Sequence, residues 1–509
     1  MNKFLYFTFL LILGLASFLR IFQLDKNPAG FFCDEASIGY NAYSILKTGK
    51  DEYQNPFPIF FPSFGDYKNP VLIYSTVPFV WLFGLSEFGV RIVPAIYGIF
   101  SVVLIFFLSK KLFNEHVALF SALFLAISPW HVHLSRVALE GIIVFPFFFT
   151  LGTYFFLEGK KRPAFLVLSF IFFGISLYTY YPAYLISPLF LLFLLFLNFS
   201  EVKDKLNFLL IGFFIFYLIS LPLLFHILSG KGLARFKQTT FLESFSQIFE
   251  IQTLKRIFKL YTQHFSFIFL FQKGDSGFPG QFITRHSIIG IGQLYLIQFL
   301  FLLFGIVFLI WKKKTEEILM LGFWLLVYPL GTVFTNAPGP QATRSIIGVI
   351  PFQILSGLGL YCLLEIGKKI FKKFYIIFGS IFFLAITLSF LNFWELFLQY
   401  PLYSSDFWGW QYGPREIISY FKKVEKDYDE LIMSSQFNQP EFFLKFYSPG
   451  ACQKCKIGNL DSFDPFKRQL FALSPGEWIK SPFFAKKIIY HTIFYPDGKV
   501  AFLIAEIKI

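Results

Sequence analysis

An acidic doublet lies shortly after the first apolar run of the chain. Asp34 and Glu35 come about ten residues beyond the run 4–24, and Lys68 and Arg91 follow them. Carboxylates are costly in hydrocarbon but ionise at a bilayer surface, where one of them can take a proton from a bound group. A nearby lysine or arginine can neutralise an anionic leaving group. These residue types predict a site at a membrane surface that combines a base with fixed cations.

The doublet also fits a purely structural role. Aspartate is a favoured N-cap residue, and the residues from Ala36 onward are typical of a helix. One doublet can cap a helix and still carry a reactive carboxylate, so both hypotheses stand.

Composition sets the class of protein that must position these residues. Hydrophobic residues make up 56% of the 509 residues and charged residues only 15%, and the mean hydropathy is +0.61. A soluble domain of this length is more polar. The sequence therefore predicts a polytopic, mainly α-helical membrane protein. Its aromatic content of 22% suits membrane spans and their interfacial belts.

The net charge of +14 does not indicate a nucleic-acid partner, because the basic residues are not gathered in one domain. They form short clusters between apolar runs, which is typical of loops on the cytoplasmic side of a membrane. The clusters are Lys110 with Lys111, Lys160 to Arg162, Lys203 with Lys205, Lys312 to Lys314, Lys368 with Lys369, and Lys372 with Lys373.

The clusters and the apolar runs together predict a topology in the cell membrane. The run 70–86 is short, begins with Pro70 and contains Pro78, so we interpret it as a juxtamembrane helix lying at the external surface. About eleven crossings remain, with a cytoplasmic N-terminus and an extracytoplasmic C-terminus. The runs beyond 4–24 are 88–109, 117–134, 139–157, 163–180, 182–199, 206–228, 288–311, 317–335, 344–364 and 374–393.

Two domains are predicted. Residues 1–394 form the transmembrane domain, with external loops at 25–87 and 229–287. Residues 395–509 form a small external α/β domain, which is indicated by a helix signal at Pro414 and by strand-like runs. Those runs are 429–435, 487–494 and 500–507. Residues 1–24 are expected to be a retained signal-anchor, since no small-residue cleavage site follows them.

Further polar residues lie at the predicted external ends of spans. A tyrosine there can line a substrate pocket or belong to the aromatic belt, and an arginine can bind an anion or merely anchor a helix end. Both hypotheses remain open. The residues are Arg136 and Glu140 in the second external loop, and then Tyr180, Tyr181, Arg285, His286 and Arg344.

Cysteine and histidine offer little evidence for a metal. Cys452 and Cys455 stand in a single C-x-x-C without a second pair, which favours a disulfide or two free thiols over zinc. His131 and His133 are two residues apart and would face different sides of a helix, which favours packing.

Four segments occur in an order that resembles a known family. They are Asp34-Glu35, the segment 67–74 around Lys68, the segment 83–91 ending at Arg91, and the segment 128–136 ending at Arg136. The chain resembles the GT-C superfamily of membrane glycosyltransferases. Within it, the chain resembles bacterial members of the protein O-mannosyltransferase and aminoarabinose–lipid A transferase superfamily, including lipopolysaccharide-core enzymes. The resemblance covers about the first 200 residues well.

This resemblance implies a GT-C fold and the transfer of a hexose or pentose. The donor would be a polyprenyl-phosphate sugar, and the acceptor would be a glycan, a lipid or a protein on the external face. Asp34 would be the base or a metal-site carboxylate, supported by Glu35, while Lys68 and Arg91 would hold the lipid phosphate. Arg136 and Glu140 would form a second-loop site, and the helix at 70–83 would wall the lipid entry. Asn69 departs from the family pattern, which often has a second proline there.

No obligatory cofactor is predicted, although a divalent cation could bind the carboxylate oxygens of Asp34, Glu35 and Glu140. Two other functions remain as alternatives: a transporter or flippase of lipid-linked sugars, and a polymerase or ligase of such sugars. A transporter commonly carries its polar groups near the bilayer midplane. The charged candidates here stand at the external ends of spans, which favours an enzyme.

Overall fold

The computed structural model describes residues 3–450, 452–483 and 486–508. Residues 1 and 2 of the predicted signal-anchor lie outside this part of the chain. The helices of the N-terminal part are α1 (Lys3–Ile21), α2 (Cys33–Thr48), α3 (Pro70–Phe83), α4 (Glu87–Leu112), α5 (Glu115–Ile127), α6 (Pro129–Leu134), α7 (Val144–Gly159), α8 (Ala164–Ser176), α9 (Ala183–Leu197), α10 (Phe199–Val202), α11 (Leu206–Leu228), α12 (Ala234–Thr239), α13 (Ile251–Gln263), α14 (Leu296–Trp311), α15 (Thr315–Val327), α16 (Val349–Phe371) and α17 (Tyr375–Gln399).

The later helices are short. They are α18 (Pro401–Ser404), α19 (Pro414–Val424), α20 (Glu441–Tyr447) and α21 (Pro475–Ile479). A two-stranded hairpin precedes α3, and it consists of β1 (Phe61–Ser63) and β2 (Asp66–Lys68). The C-terminal strands are β3 (Glu430–Ser434), β4 (Cys455–Gly458), β5 (Gln469–Leu473), β6 (Lys487–Phe494) and β7 (Val500–Ile507).

The helical part is built to lie in a membrane. In the described part of the chain, four helical segments are long and apolar enough to cross a membrane, and six shorter apolar helices accompany them. The four are Lys3–Ile21, Glu87–Leu112, Phe199–Leu228 and Ile346–Gln399. Large apolar side chains also point outward along α11 and α17, for example Phe214 and Ile376, as a lipid-facing surface requires. The prediction of a multi-pass membrane protein is confirmed, while the number of eleven crossings stays a prediction.

Opposite ends of the helix bundle differ in their charges. At one end Lys111 pairs with Glu158 at 2.8 Å, and Lys160 pairs with Glu316 at 2.6 Å. These contacts join the loops that carry several of the predicted cytoplasmic lysine clusters. The ends of α1 and α5 meet at the opposite end, where Arg20 donates hydrogen bonds to the carbonyl oxygen of Leu125. The candidate residues of the doublet lie at this second end, away from the lysine clusters.

Helix α3 forms where a surface helix was predicted. Pro70 occupies the first helical turn, where a missing N–H costs nothing, and Pro78 lies inside the helix. The helix packs on α2 and α4 and exposes Trp81 and Leu82. Its position relative to the membrane surface stays a prediction.

The C-terminal part is a small α/β domain, as predicted. Its sheet has the order β4-β3-β5-β7-β6, in which β3 runs parallel to β4 and β5 and the remaining neighbours are antiparallel. The predicted strands and the helix at Pro414 are confirmed, whereas β4 and β5 were not predicted. Cys452 and Cys455 form a disulfide. The last apolar helix continues to Gln399, so it extends beyond the predicted boundary at 394.

The domain docks on the membrane-embedded part through α20. This helix approaches α2 closely at Gly39, where a Cβ atom would lie 2.5 Å from the ring of Phe446. Lys445 pairs with buried Glu52 at 2.7 Å. The docked domain therefore stands directly over the end of the bundle that carries the acidic doublet.

Candidate active site

The two carboxylates of the doublet face different surroundings. They are consecutive residues in the first turn of α2, and consecutive helical residues point about 100° apart. Glu35 is fully buried and accepts a hydrogen bond from the N–H of Phe32 at 3.2 Å, which makes it the capping residue of this turn. Asp34 lines a cavity. The capping role and the accessible carboxylate thus belong to different members of the doublet.

Glu35 and Arg91 form a fully buried, two-pronged ion pair. The Nε and Nη2 atoms of Arg91 donate to the two carboxylate oxygens at 2.9 and 2.8 Å. Arg91 donates its remaining hydrogens to the carbonyl oxygens of Leu24, Pro28 and Gly30. All five donors of a guanidinium are therefore used inside the protein. This geometry does not support the predicted phosphate-binding role of Arg91, and it gives Glu35 a structural role.

Arg136 also lies away from the cavity. Its guanidinium donates to the carbonyl oxygens of Leu19, Phe22 and Asn27, and the side chain is buried. Carbonyls at the end of a helix have no partner within that helix, so a buried arginine is an effective cap there. Arg136 fixes the end of α1, and the structure separates it from Glu140, with which it was predicted to form one site.

Asp34 is paired with Lys68. The Nζ atom of Lys68 lies 2.6 Å from Asp34 Oδ1, and both side chains are largely buried, with exposed fractions of 5% for Lys68 and 17% for Asp34. Burial acts to raise the pKa of Asp34, but the charge and hydrogen bond of Lys68, aided by Arg235 and Arg285, hold this pKa below its usual value. Asp34 is therefore ionised at neutral pH, and Lys68 remains charged beside it.

Arg235 joins two further carboxylates to this group. It lies on α12, in the loop predicted to be external, and pairs with Asp66 at 3.2 Å and with Glu140 at 3.3 Å. Burial raises the pKa of Asp66 to about 6, against the opposing effect of Lys68 and Arg235. Glu140 has a φ of 46°, in the left-handed region that non-glycine residues rarely occupy. Its carboxylate is held by the ion pair with Arg235.

A cavity of about 300 Å³, which we call the polar cavity, lies in front of Asp34. Three arginines and two carboxylates line it, so fixed positive charge is in excess. Arg285 is held by the carbonyl oxygens of Trp408 and Gly409 and stacks on the ring of Phe32. The charged lining residues are Asp34, Glu140, Arg235, Arg285 and Arg344, and His286, Tyr180, Asn438 and Gln439 also line the cavity.

Arg344 differs from the other buried arginines. Its side chain forms a hydrogen bond with Tyr180 and lies near the charges of Arg235 and Glu140. Within the described part of the chain it forms no ion pair with a carboxylate, whereas Arg235 has two. A guanidinium that is not already neutralised by a partner is well suited to an anion such as phosphate.

Tyr180 lines the polar cavity, whereas Tyr181 and Tyr184 lie outside its lining and bond to the segment around Lys68. The Tyr181 hydroxyl donates to the carbonyl oxygen of Tyr67, and the Tyr184 hydroxyl donates to Asn69 Oδ1 at 2.9 Å. Asn69, the departure from the family pattern, thus anchors a neighbouring helix to the hairpin strand that carries Lys68.

The polar cavity leads toward apolar surface. A second cavity of about 270 Å³, the mixed cavity, shares Glu140, Tyr180, Arg235 and Arg344 with it. An apolar groove of about 440 Å³ follows, and it shares Leu185, Leu233, Phe236 and Phe334 with the mixed cavity. Residues of α3 do not line any of the three, so the predicted lipid entry along 70–83 is not where the structure places the apolar path.

The predicted three-carboxylate metal set does not come together. Asp34 and Glu140 line the same cavity, but both oxygens of Glu35 are taken by Arg91 and by backbone N–H groups. Among the described residues, no group of three or more histidine, cysteine, aspartate or glutamate side chains could hold a metal ion.

Four of the site residues named above were missed in the sequence: Asp66, Arg235, Asn438 and Gln439. Asp66 precedes Lys68 by two residues, and alternate residues of a strand share a face, so the pattern Asp66-Tyr67-Lys68 could have indicated it. Arg235 has no such signal, because a loop arginine some hundred residues beyond Glu140 meets it only through the fold. Asn438 and Gln439 reach the cavity from the C-terminal domain.

This architecture, a helical membrane bundle beneath a C-terminal domain, is the GT-C fold, as two solved structures show. Archaeal oligosaccharyltransferase AglB from Archaeoglobus fulgidus, in complex with an inhibitory peptide and a dolichol-phosphate, has a similar structure. The TM-score is 0.56 at 14% identity, over 89% of this chain and 64% of that chain. ArnT from Cupriavidus metallidurans, bound to undecaprenyl phosphate, is similar with a TM-score of 0.54 at 12% identity, over 97% of each chain.

Sequence comparison points to the same group. Residues 68–225 match the family model described as dolichyl-phosphate-mannose-protein mannosyltransferase. A putative mannosyltransferase of Bacillus subtilis, YycA, is 27% identical over 210 residues, which are 40% of this chain. The match spans only 29% of the length of that relative. The GT-C fold that the sequence resemblance implied is confirmed.

Proposed function

We propose that this chain is an integral membrane glycosyltransferase that moves a sugar from a polyprenyl-phosphate donor to an acceptor. The observation that carries the proposal is the Asp34–Lys68 pair at a cavity with excess positive charge, which continues through the mixed cavity into an apolar groove. An ionised base, cations for a phosphate and an apolar path for a lipid chain are the three elements that this transfer needs.

The donor would lie across the three compartments. Its phosphate would bind Arg235 and Arg344, which line both the polar and the mixed cavity. Its polyprenyl chain would follow the apolar groove past Leu185, Phe236 and Phe334. The similar structures of AglB and ArnT hold a dolichol-phosphate and an undecaprenyl phosphate, respectively, which supports a donor of this class.

The reaction would proceed as a substitution at the anomeric carbon. The acceptor oxygen forms a bond to this carbon while the bond from the carbon to the phosphate oxygen breaks. Asp34 takes the acceptor proton, and the leaving polyprenyl phosphate keeps the electron pair of the broken bond. Arg235 and Arg344 stabilise its growing negative charge, and Lys68 keeps Asp34 ionised until the proton arrives.

The acceptor would enter from the side of the C-terminal domain, where Asn438 and Gln439 line the polar cavity. A glycan, a lipid and a protein remain the acceptor classes to test. Mannose is the first sugar to test, because the family model and the Bacillus relative are both described as mannosyltransferases.

The site would lie on the external face of the cell membrane. The lysine clusters at the opposite end of the bundle support this orientation, and so does the disulfide in the C-terminal domain, since disulfides persist in oxidising compartments. Single cysteines placed at exposed Asp204 and Asp461 test it. Only the cysteine at position 461 should react with an impermeant maleimide in intact cells.

Transfer by the purified protein in lipid nanodiscs is the decisive experiment. The donor is undecaprenyl-phosphate mannose, with other hexose and pentose donors in parallel, and the acceptors are the three classes above. Asp34→Asn should lower kcat by about 10²–10⁴-fold, because it removes the base but keeps the shape of the side chain. Asp497→Asn, in an exposed turn, is the matched control. Wild-type turnover by the folded Asp34→Asn variant would refute the mechanism, and lipid flux without a new glycosidic bond would favour a transporter.

A separate measurement addresses the phosphate site. Arg344→Ala should weaken binding of undecaprenyl phosphate by at least about tenfold, because a charge-assisted hydrogen bond to phosphate is lost. Arg162→Ala, at the opposite end of the bundle, should leave the affinity unchanged. If Arg344→Ala and Arg162→Ala bind undecaprenyl phosphate with equal affinity, Arg344 does not belong to the proposed phosphate site.

A further inference from the structure

A separate cavity of about 350 Å³ lies between the C-terminal domain and the segment that leads into it. We call it the outer cavity, and we define it by Asp406, Gln411, Tyr412, Gln436, Phe437 and Tyr495. We propose that it binds a neutral saccharide unit of the acceptor. The identification of the ligand as the acceptor rests on the proposed function, whereas binding of a saccharide to this cavity does not require turnover.

Gln411 is the first reason for assigning a ligand to this cavity. Its side chain is only 2% exposed, and neither its amide nitrogen nor its amide oxygen has a hydrogen-bond partner in the described part of the chain. Its φ of 53° also places the residue in the left-handed region. A buried primary amide without partners costs free energy, so such a group in a cavity wall indicates a bound partner.

The position of the cavity in the sheet is the second reason. Strands β3 and β5 run parallel, and the cavity is lined by Ser434 and Ser474, which stand where these strands end. The chain passes from β3 to β4, the neighbour of β3 on one side, and then crosses to β5, its neighbour on the other side. The direction in which strands are added therefore reverses at β3. Open α/β sheets bind ligands in the crevice at the carboxyl ends of such strands.

The chemistry of the wall favours a saccharide. A sugar ring has an apolar face of C–H groups and a rim of hydroxyls that both donate and accept. Tyr412 and Tyr495 offer ring surfaces whose centroids lie 6.2 Å apart, and the amides of Gln411 and Gln436 offer donors and acceptors together. Among the described residues, Asp406 is the charged residue of the wall, and no lysine or arginine lines it. An anionic ligand would therefore be repelled.

The outer cavity borders the polar cavity. Gln436 and Phe437 line the outer cavity, and the next two residues, Asn438 and Gln439, line the polar cavity. Consecutive Cα atoms are about 3.8 Å apart, so the two cavities are separated by little more than one residue of this loop. A saccharide held at Tyr495 could thus extend its next unit toward Asp34.

The test measures binding to the full-length protein in nanodiscs, without donor. The probes are mannotetraose and glucotetraose, with a serine- and threonine-rich decapeptide for comparison, and the readout is saturation-transfer NMR. At least one tetrasaccharide should bind to wild type and equally to Asp34→Asn. Gln411→Met and Tyr495→Leu should weaken this binding by about tenfold, whereas Gln453→Met and Tyr490→Leu, matched changes outside the cavity, should not.

Folding is checked in the same variants. Gln411→Met should keep or raise the midpoint of thermal unfolding, because it replaces a partnerless buried amide with an apolar chain of similar shape. Absence of saccharide binding, equal binding by the cavity variants, or binding of the decapeptide alone would each overturn the proposal. Saccharide binding without any transfer would contradict the proposed function and leave this site standing.

Discussion

Lys68 controls the protonation of the carboxylate beside it. Asp34 is buried, and burial favours the neutral acid, but the lysine reverses that effect and holds the pKa below its usual value. The pair thus keeps the base ionised against the effect of burial, and the lysine need not touch the donor to matter for catalysis.

Removing this cation has a predictable sign. In Lys68→Met the burial of Asp34 remains without its counter-charge, so the pKa of Asp34 should rise. Asp34 then becomes protonated at a higher pH when the solution is acidified. The acid limb of the plot of kcat/KM against pH should therefore shift to higher pH. Lys426→Met, an exposed lysine of the C-terminal domain, should keep the wild-type profile. An unmoved acid limb would show that Asp34 is not the titrating base.

The Glu35–Arg91 pair makes a different prediction. Arg91→Met leaves the carboxylate of Glu35 buried without its counter-charge and frees three backbone carbonyls. The loss should be about 3–5 kcal/mol, seen as a lower midpoint of thermal unfolding. The double variant with Glu35→Gln should recover part of it. If Arg91→Met instead unfolds like wild type and loses only donor affinity, the residue binds phosphate after all.

Helix ends are the elements that frame the site. Arg20 donates to the carbonyl oxygens of Leu125 and Ala126 at the end of α5, and Arg136 does the same at the end of α1. The free carbonyls of a helix end carry a partial negative charge, which these buried cations offset. Arg20 and Arg136 therefore fix the ends of α5 and α1 at the end of the bundle that carries the doublet.

Helices α14 and α16 pack through glycines. A Cβ on Gly359 would lie 1.7 Å from the carbonyl oxygen of Phe301, whereas a Cβ on Gly322 would meet nothing within 4 Å. Gly359→Ala should therefore force the helices apart and destabilise the bundle by about 1–3 kcal/mol. Gly322→Ala should be neutral or stabilising, because alanine favours a helix. Thermal unfolding in nanodiscs compares the two, and equal midpoints would contradict the observed packing.

At the scale of the whole molecule, the C-terminal domain is fastened to the helical part by a polar cluster. Glu87, at the start of α4, accepts a hydrogen bond from the hydroxyl of Tyr447 and pairs with Arg415 at 3.2 Å. Both partners belong to the C-terminal domain, which also supplies Asn438 and Gln439 to the polar cavity. Docking of the domain therefore completes the site.

Loosening this cluster should loosen the site. Glu87→Gln removes the charge that Arg415 faces, so hydrogen exchange should rise in α20 and in the loop 435–439, and the KM for the acceptor should increase. Glu441→Gln, an exposed change on the same domain, is the control. Unchanged exchange in α20 would show that the aromatic contacts alone hold the domain.

Much of this architecture follows from the sequence. Apolar runs marked the helices, and Pro70 marked the start of α3. Hydrophobic content and helix length act locally, so they can be read from one segment at a time. The same holds for β6 and β7, whose alternation and turn signal are local.

The site was harder to predict, because it depends on helical phase and on distant segments. Asp34, Lys68, Glu140 and Arg344 come together, but the sequence could not show that Glu35 points inward or that Arg91 meets the carbonyls of the loop before α2. A shift of one helical residue turns a side chain by about 100°.

The succession from polar cavity to apolar groove has a kinetic consequence. A donor that enters along Leu185 and Phe334 would reach the site from the lipid bilayer, whereas a saccharide that binds at Tyr495 would reach it from water. The turnover of the proposed enzyme would then depend on the number of donor molecules per unit of membrane area and on the molarity of the acceptor. Adding inert phospholipid at a fixed amount of donor lowers the donor density in the membrane and should slow the reaction. Raising the acceptor concentration in water should not restore the original rate.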